Sequence, residues 1–583
     1  MSHSKKKNRI MKNIIKIIIL GIAISLSSCE DDFLVRTPLD DITTENFYKT
    51  AQDLETAVNA FYQDLPGWAG VGNGYSQMPD SNTDMITGET PSSGFLGNYS
   101  IPTSSSGANW GWWDEVREVN FYLDRVDQAE GNETDINHFI GEGYFFRAYH
   151  YFNFLSKYGA VPIIDKYITD KDTEYLFKGR DPRNEVANFI ISDLDTAISL
   201  LKSFPDISST PRISKEAAQL FKARVALYEG TWEKYHNGTD FGVAGSDGTE
   251  FLEIAADAAE DVIDSEVFSL HDDYGSLFNQ IGLKGNSEMI LWRDYDYVTL
   301  EIGNDLQVSW PNRSSYTRFA IRSYLCTDGK PISVSSDYVG DQDLSTIETN
   351  RDPRLAATLM VPGDLVRKDT DGTETYFTAP VITGNNAANG GYESQKYRDP
   401  NIEATTGQVT RSTSKILMRY AEVLLIYAEA KAELGTITQT DLDKSINKLR
   451  LRPSVNMPII TLGNITADPD WPNYGYSLTD ILYEIRRERS VELMAEGFRL
   501  DDLYRWRAHS LFDGDTPRGA YFDDGIVNSN TNASEVLLDS EGYLTPFAGD
   551  GNYNFDESKA YLSPIPADEL ILNPNLLPQN PGW

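Results

Sequence analysis

Apolar residues recur at helical spacing over two stretches of this chain and lose that rhythm between them. Thr50-Ala51-Gln52-Asp53 reads as a capping box, and Leu54, Ala57, Val58, Phe61, Tyr62 and Leu65 then fall on one helical face. After a Gly-, Ser- and Asn-rich loop over residues 67–107, the spacing returns at 113–126, 136–158, 186–201, 214–228 and 251–263. Alanines alternate there with large aromatics, the arrangement that stacked helix pairs of tetratricopeptide type need, although no clean 34-residue repeat is visible.

From 271 to 411 no helical pattern lasts, and only 289–292 and 355–360 look like strands. Helices resume at 419–434, where Glu422, Glu429 and Glu433 share the one polar face of an otherwise apolar, buried helix. A helix over 441–450 pairs with it. A long charged helix follows over 479–506, with Glu484/Arg487 and Arg489/Glu492 at i, i+3 spacing. The tail, 561–583, is too rich in proline for regular structure and must be held by tertiary contacts. The expected fold is mainly α. Tetratricopeptide-like helix pairs form a scaffold (about 44–66, 110–270 and 412–510) that carries an irregular loop and short-strand ligand-binding half (about 271–411), all within one domain, 29–583.

The chain's beginning changes the picture. Lys5, Lys6, Lys7, Arg9, Lys12 and Lys16 precede an apolar run, 17–26, that suits a signal peptide and is too short to span a bilayer. Leu26-Ser27-Ser28-Cys29 resembles the lipobox of bacterial lipoproteins, which implies removal of 1–28 and acylation of Cys29; several acyl chains hold a protein stably to a membrane. The plainer alternative is an ordinary cleaved signal. Cys29-Glu30-Asp31-Asp32 looks like the acidic tag of lipoproteins displayed on the cell surface. The formal net charge is −37, and loss of 1–28 would remove only cations. Such a surface repels phosphate backbones, so nucleic acid is not an expected partner. With Cys29 acylated, Cys326 has no thiol to pair with.

Several motifs then stand in order: DDFL after Cys29, FFRAYHYFNFLSKYGAVPI, DPRL at 352–355, RYAEVLLIYAEA, ERSVELMAEGFRLDDLYRW, YLSPIP and QNPGW. Together they resemble the SusD/RagB family of outer-membrane nutrient-binding lipoproteins over nearly the whole mature chain. Ser490 departs from the family pattern where a second Arg is usual, as does Pro453 after the Arg450–Arg452 pair, and the tail is one residue longer. The resemblance implies about four tetratricopeptide-like pairs and a glycan ligand, or a peptide in some members. It also implies a SusC-like TonB-dependent transporter as partner, over whose mouth the protein sits as a lid. It implies neither catalysis nor a cofactor.

Sugar capture needs flat apolar rings for C–H faces, with amides and carboxylates for hydroxyls. Trp110 with Asn109, and Trp310, lie among loop formers and are the favoured ring candidates; Trp68, Trp292 and Tyr392 follow, whereas Trp113 and Trp506 read as core. Asp80, Asp84 and Arg398 offer polar contacts. The bland alternatives are core packing for each Trp, turn formation for each Asp and an ion pair for the Arg. Neither a Gly-x-Ser-x-Gly elbow nor a His-Glu-x-x-His helix nor a phosphate loop is present, and Asp272-Asp273 lacks calcium-ligand spacing. A surface glycoside hydrolase is the remaining enzymatic alternative, because any two facing carboxylates would serve it.

Overall fold

A computed structural model describes residues 47–68, 78–107, 110–208, 210–297, 299–303, 314–369, 371–384, 387–400, 412–523, 528 and 530–583. The capping box forms: the Thr50 hydroxyl accepts from the Asp53 amide, and the Asp53 carboxylate accepts from the Thr50 amide at 2.9 Å, which starts α1 (Ala51–Val58). Then come α2 (Trp113–Leu123), α3 (Glu133–Tyr158), α4 (Arg183–Leu200), α5 (Lys215–Tyr235) and α6 (Thr249–Asp264). The irregular half intervenes before α7 (Tyr420–Glu433), α8 (Gln439–Lys444), α9 (Ile446–Arg450), α10 (Asp480–Glu492), α11 (Arg499–Arg505) and α12 (Ala567–Leu572).

Each helix of the body packs on the next, α2 on α3, then α4, α5, α6 and α7, with α10 closing the row. Glycines set the closest approaches. A Cβ on Gly143 would lie 2.6 Å from the Tyr122 ring, and one on Gly248 only 1.9 Å from the Gly230 carbonyl oxygen, where backbone meets backbone between α5 and the start of α6. Such stacking of helix pairs around one apolar seam is the tetratricopeptide-like arrangement the sequence called for. None of the described helices is long and apolar enough to cross a membrane.

As expected, α7 is buried on every side, and each of its acids finds a cation or donor. Glu422 takes Arg224 at 2.6 Å, Glu429 takes Arg505 at 2.6 Å and the Trp506 indole at 2.7 Å, and Glu433 takes Lys234 at 2.7 Å and Arg486 at 3.1 Å. The irregular half holds three two-stranded antiparallel pieces: β1 (Ile86–Thr87) with β3 (Ser315–Tyr316), β2 (Met289–Arg293) with β6 (Lys415–Arg419), and β4 (Leu365–Lys368) with β5 (Glu374–Tyr376). Strand 289–292 is therefore real. Residues 355–360 are instead tight turns, with only Leu359 bridging Ser394.

The two C-terminal helices expected as continuous are each broken. Ser445 interrupts 441–450, and the turn after α10 places Ala495 (φ 61) and Gly497 (φ 93) in the left-handed region, which ends one helix and redirects the chain into the next. Glu484 and Arg487 pair at 3.4 Å, but Arg489 turns instead to Asp502 at 2.8 Å and Glu492 to three arginines. The tail forms α12 and one 3-10 turn (Pro574–Leu576) despite its prolines. Its end is pinned by the Asn580 amide on the Tyr158 carbonyl at 3.1 Å and by the Trp583 indole on the Leu562 carbonyl at 2.9 Å.

A buried web of charge joins the two halves. Arg354 of the DPRL motif meets Glu488 at 2.6 Å and Glu492 at 3.0 Å; Arg419 meets Glu492 at 2.8 Å and Glu288 at 2.9 Å; Arg452 meets Glu288 at 2.7 Å and Glu492 at 2.9 Å. Burial alone would raise the Glu492 carboxyl, yet Arg452, Arg419 and Arg354 hold it well below the usual carboxylate range.

Candidate functional site

The body ends in a cleft of about 520 Å³, built where the first turns of α2, the 162–178 connection and the C-terminal tail converge. A 3-10 turn (Trp110–Trp112) runs into α2 and sets two indoles side by side. Trp110 is 3% exposed and meets the Tyr158 ring edge-on at 4.9 Å. Trp113 is half-buried, stacks on Phe154 at 4.4 Å, and contributes to the cleft wall. Val116, Pro162, Ile164, Ile168, Tyr175, Leu176 and Leu576 complete the apolar lining.

Polar groups ring this lining. Asn120 is fixed by its amide on the Ile164 carbonyl (2.8 Å) and by Arg147 on its oxygen (3.0 Å). The Lys166 amino group stands 4.2 Å over the Tyr175 ring, and Arg117 donates to the Tyr167 hydroxyl at 2.8 Å. Asp114, Thr169, Asp170, Lys178, Glu569 and Asn573 stand around them. Burial, then the neighbouring Asp568, raises the Glu569 carboxyl. Indole and phenol faces bordered by carboxylates, an amide and ammonium groups suit a ring that is apolar on its faces and hydroxylated at its edge.

A second cleft of about 440 Å³ lies in the irregular half beside Arg318, Arg322, Arg518, Asp84, Asp515 and Asp539. Most of its charges are committed to each other. Arg318 holds Asp341 at 2.7 Å, Arg518 holds Asp539 at 2.6 Å, and Asp84 takes Arg499 at 2.6 and 2.8 Å. Among the described residues no group of three or more His, Cys, Asp or Glu is placed to hold a metal ion.

Of the candidate ligand residues that are described, only Trp110 borders the aromatic cleft, and its ring is mostly spent on core contacts; the more open ring is Trp113, which the sequence assigned to the core. Trp292 is buried with its indole donating to Asp294 at 2.9 Å, and Tyr392 is fully buried. Arg398 is buried with Nε on the Ser394 carbonyl at 2.6 Å. Trp68 is closed in by Tyr397 at 5.2 Å and by Lys415, whose amino group lies 4.6 Å over its ring; burial, then Arg293, lowers that amino group to about 8.

Asp80 and Asp84 fasten their loop to the start of α11. Asp80 (φ 64) accepts from the Gly497 amide at 2.9 Å and the Arg499 amide at 2.8 Å, and burial raises its carboxyl to about 6 against those two bonds. Trp292 and Arg398, with Asp80 and Asp84, have hydrogen-bond partners within the protein, whereas the Trp68 indole N–H and the Tyr392 hydroxyl are buried without one. Asn109, Trp310 and Cys29 lie outside the described residues. Sequence reading missed Tyr175, Ile164, Leu576 and Asn573. The one signal available was Tyr175-Leu176-Phe177, an apolar run inside the charged stretch 165–183.

A tetratricopeptide-like platform that carries an irregular half and a ring-lined cleft defines a helical-repeat fold. Its family follows from comparison with known proteins. The model described as the SusD family matches residues 285–583, and one described as starch-binding, associating with the outer membrane, matches 102–227. The chain belongs to the SusD family, whose members bind carbohydrate and associate with the outer membrane. It is 25% identical to SusD-like protein P2 of Formosa agariphila, over 97% of this chain and 99% of that one. It is 24% identical to a SusD-like protein of Bacteroides ovatus, over 96% of each. Among solved structures, a SusD-like carbohydrate-binding protein of Bacteroides fragilis superposes with a TM-score of 0.72 at 22% identity, over 91% of this chain and 100% of that one. A laminarin-binding SusD-like protein gives 0.55 at 19%, over 92% and 100%. Likeness at these identities shows a shared fold.

Proposed function

We propose that this protein is a lipid-anchored, non-catalytic receptor on the cell surface that captures an oligo- or polysaccharide and passes it to a TonB-dependent outer-membrane transporter. Family membership is the observation that carries this reading, because it ties the whole fold to carbohydrate binding at the outer membrane. The lipobox-like Leu26-Ser27-Ser28-Cys29 supports the anchor. The aromatic cleft supports the ligand class: its volume of about 520 Å³ accommodates a short run of sugar rings, with Trp113 and Tyr175 as stacking faces and Asp114, Asp170 and Asn573 as partners for hydroxyls.

Titration of the soluble chain, beginning after Cys29, against a panel of polysaccharides tests this. Saturable binding to at least one of them, weakened about tenfold or more by Trp113→Ala, is the expected result. Binding unchanged in that variant moves the site elsewhere on the protein. Binding to peptide mixtures alone overturns the glycan reading, and new reducing ends released from the polysaccharide overturn the non-catalytic one.

A further inference from the structure

The buried indole N–H of Trp68, a residue only 7% exposed, has no acceptor, although an indole nitrogen can do nothing but donate. Its neighbours are donors as well. Arg293 and Lys415 are direct partners across the β2–β6 ladder, where like charges repel. Both reach toward the turn 65–68. Arg293 donates to the Leu65 carbonyl at 2.9 Å and Lys415 to the Gly67 carbonyl at 3.0 Å, and the Lys415 amino group stands 4.6 Å over the Trp68 ring. A Cβ on Gly67 would lie 2.8 Å from the Tyr295 hydroxyl and 3.1 Å from Arg293 Nη1, so these groups close around one turn. The Tyr295 hydroxyl accepts from the Trp68 amide at 2.7 Å and keeps its own proton to give.

Neither cation has a carboxylate partner among the described residues. The two acids that share a small pocket with Trp68 and Lys415 are committed elsewhere, Glu422 to Arg224 at 2.6 Å and Glu496 to Arg419 at 2.7 Å and Lys396 at 2.8 Å. No carboxylate raises the Lys415 amino group against the burial and the Arg293 charge that lower it. Arg354, Arg419 and Arg452, by contrast, each meet at least one buried acid. A cluster that holds two facing cations and only donors lacks an acceptor, and an anion supplies one while relieving the repulsion across the ladder. We propose that Arg293, Lys415, the Trp68 indole and the Tyr295 hydroxyl bind an oxyanion carried on a saccharide, a sulfate ester or a uronate carboxylate. The site shares no residue with the aromatic cleft. The proposal rests on the glycan-capture reading above for the source of the anion and adds the charge that the glycan carries.

The test titrates the soluble chain with matched sets of polysaccharides, each backbone offered neutral, oxidised to the uronate, or sulfated. The net charge of −37 works against unspecific binding of a polyanion, so a gain in affinity must come from a local site. At least one acidic form is expected to bind about tenfold or more tighter than its neutral counterpart, and Lys415→Met and Arg293→Met each cut that ratio to about twofold or less. Lys415→Arg, which keeps the charge, retains it. Acidic and neutral forms bound alike, or a preference intact in both methionine variants, overturns the site. In a second arm, sodium sulfate at an ionic strength matched with sodium chloride raises the melting temperature of the parent more than that of Lys415→Met, and equal rises overturn the anion site. A sulfate effect without any preference for acidic glycans assigns the site to a free ion and overturns the sugar-borne one. Failure of every glycan to bind, neutral forms included, would instead sink the receptor reading, while the sulfate arm still decides whether the site holds an oxyanion.

Discussion

The buried charge web and the aromatic cleft are opposites in composition and in what the sequence says of them. The web gathers Arg354, Arg419, Glu488 and Glu492 from the motifs that resemble the family most, together with Arg452 and Glu288, and every one of these side chains is buried. The cleft gathers Trp113, Tyr175, Ile164 and Leu576 from segments that never meet in sequence. What marks the family in this chain is therefore the joint between its two halves. The surface able to meet a ligand is built mostly from positions outside those motifs, with Pro162 of the GAVPI run the exception.

The contrast is broken most severely by Glu492→Ala. Removing that carboxylate leaves three buried guanidinium groups short of their shared counter-charge, and a loss of about 3–5 kcal/mol is expected in chemical denaturation. Asp84→Ala comes next, at about 2–4 kcal/mol, because it strands Arg499. Although Asp84 borders the second cleft, polysaccharide affinity of the folded variant is expected to stay unchanged; a loss of affinity would move Asp84 from the joint to the site. Trp113→Ala behaves in the reverse way, with binding weakened by about 1–3 kcal/mol and a smaller loss of stability from its stack on Phe154.

The smallest effect is that of pH. The Glu492 carboxyl is depressed in the fold, so its contribution is complete above the ordinary carboxylate value of about 4.3. That contribution is lost as pH falls from there toward its much lower folded value. Buried His236 adds to the same decline. Burial lowers its ring to about 3, and the unfolded chain takes up its proton first, below about 6.5. Asp80, raised to about 6, works the other way between about 3.9 and 6. The net expectation is a shallow stability profile to about pH 5 and a steeper fall below it, which Glu492→Gln flattens in a pH series of melting curves.

Periodicity made the helices legible, because an apolar seam repeats along each of them; the Thr50/Asp53 cap and the buried acids of α7 could be placed to the residue. The break between α10 and α11 carries one signal, Gly497, a residue type that commonly ends helices; its partner in the left-handed turn, Ala495, is a good helix former and gives none. The ligand surface was harder. Exposure of an indole depends on which neighbours reach it: three residues apart, Trp110 is buried against Tyr158 and Phe154, while Trp113, stacked on Phe154, stays half-buried. Likewise Asp80 and Asp84 look like ligands for hydroxyls until Arg499, more than four hundred positions away, arrives beside them.

Hydroxyl-radical footprinting of the soluble chain, with and without the polysaccharide it binds most tightly, addresses the central claim most directly. Oxidation of Trp113 and Tyr175 should fall sharply in the complex while that of Tyr376, exposed on β5, stays constant. Full reactivity of Trp113 and Tyr175 at saturating ligand would contradict the account and place capture away from the helical body.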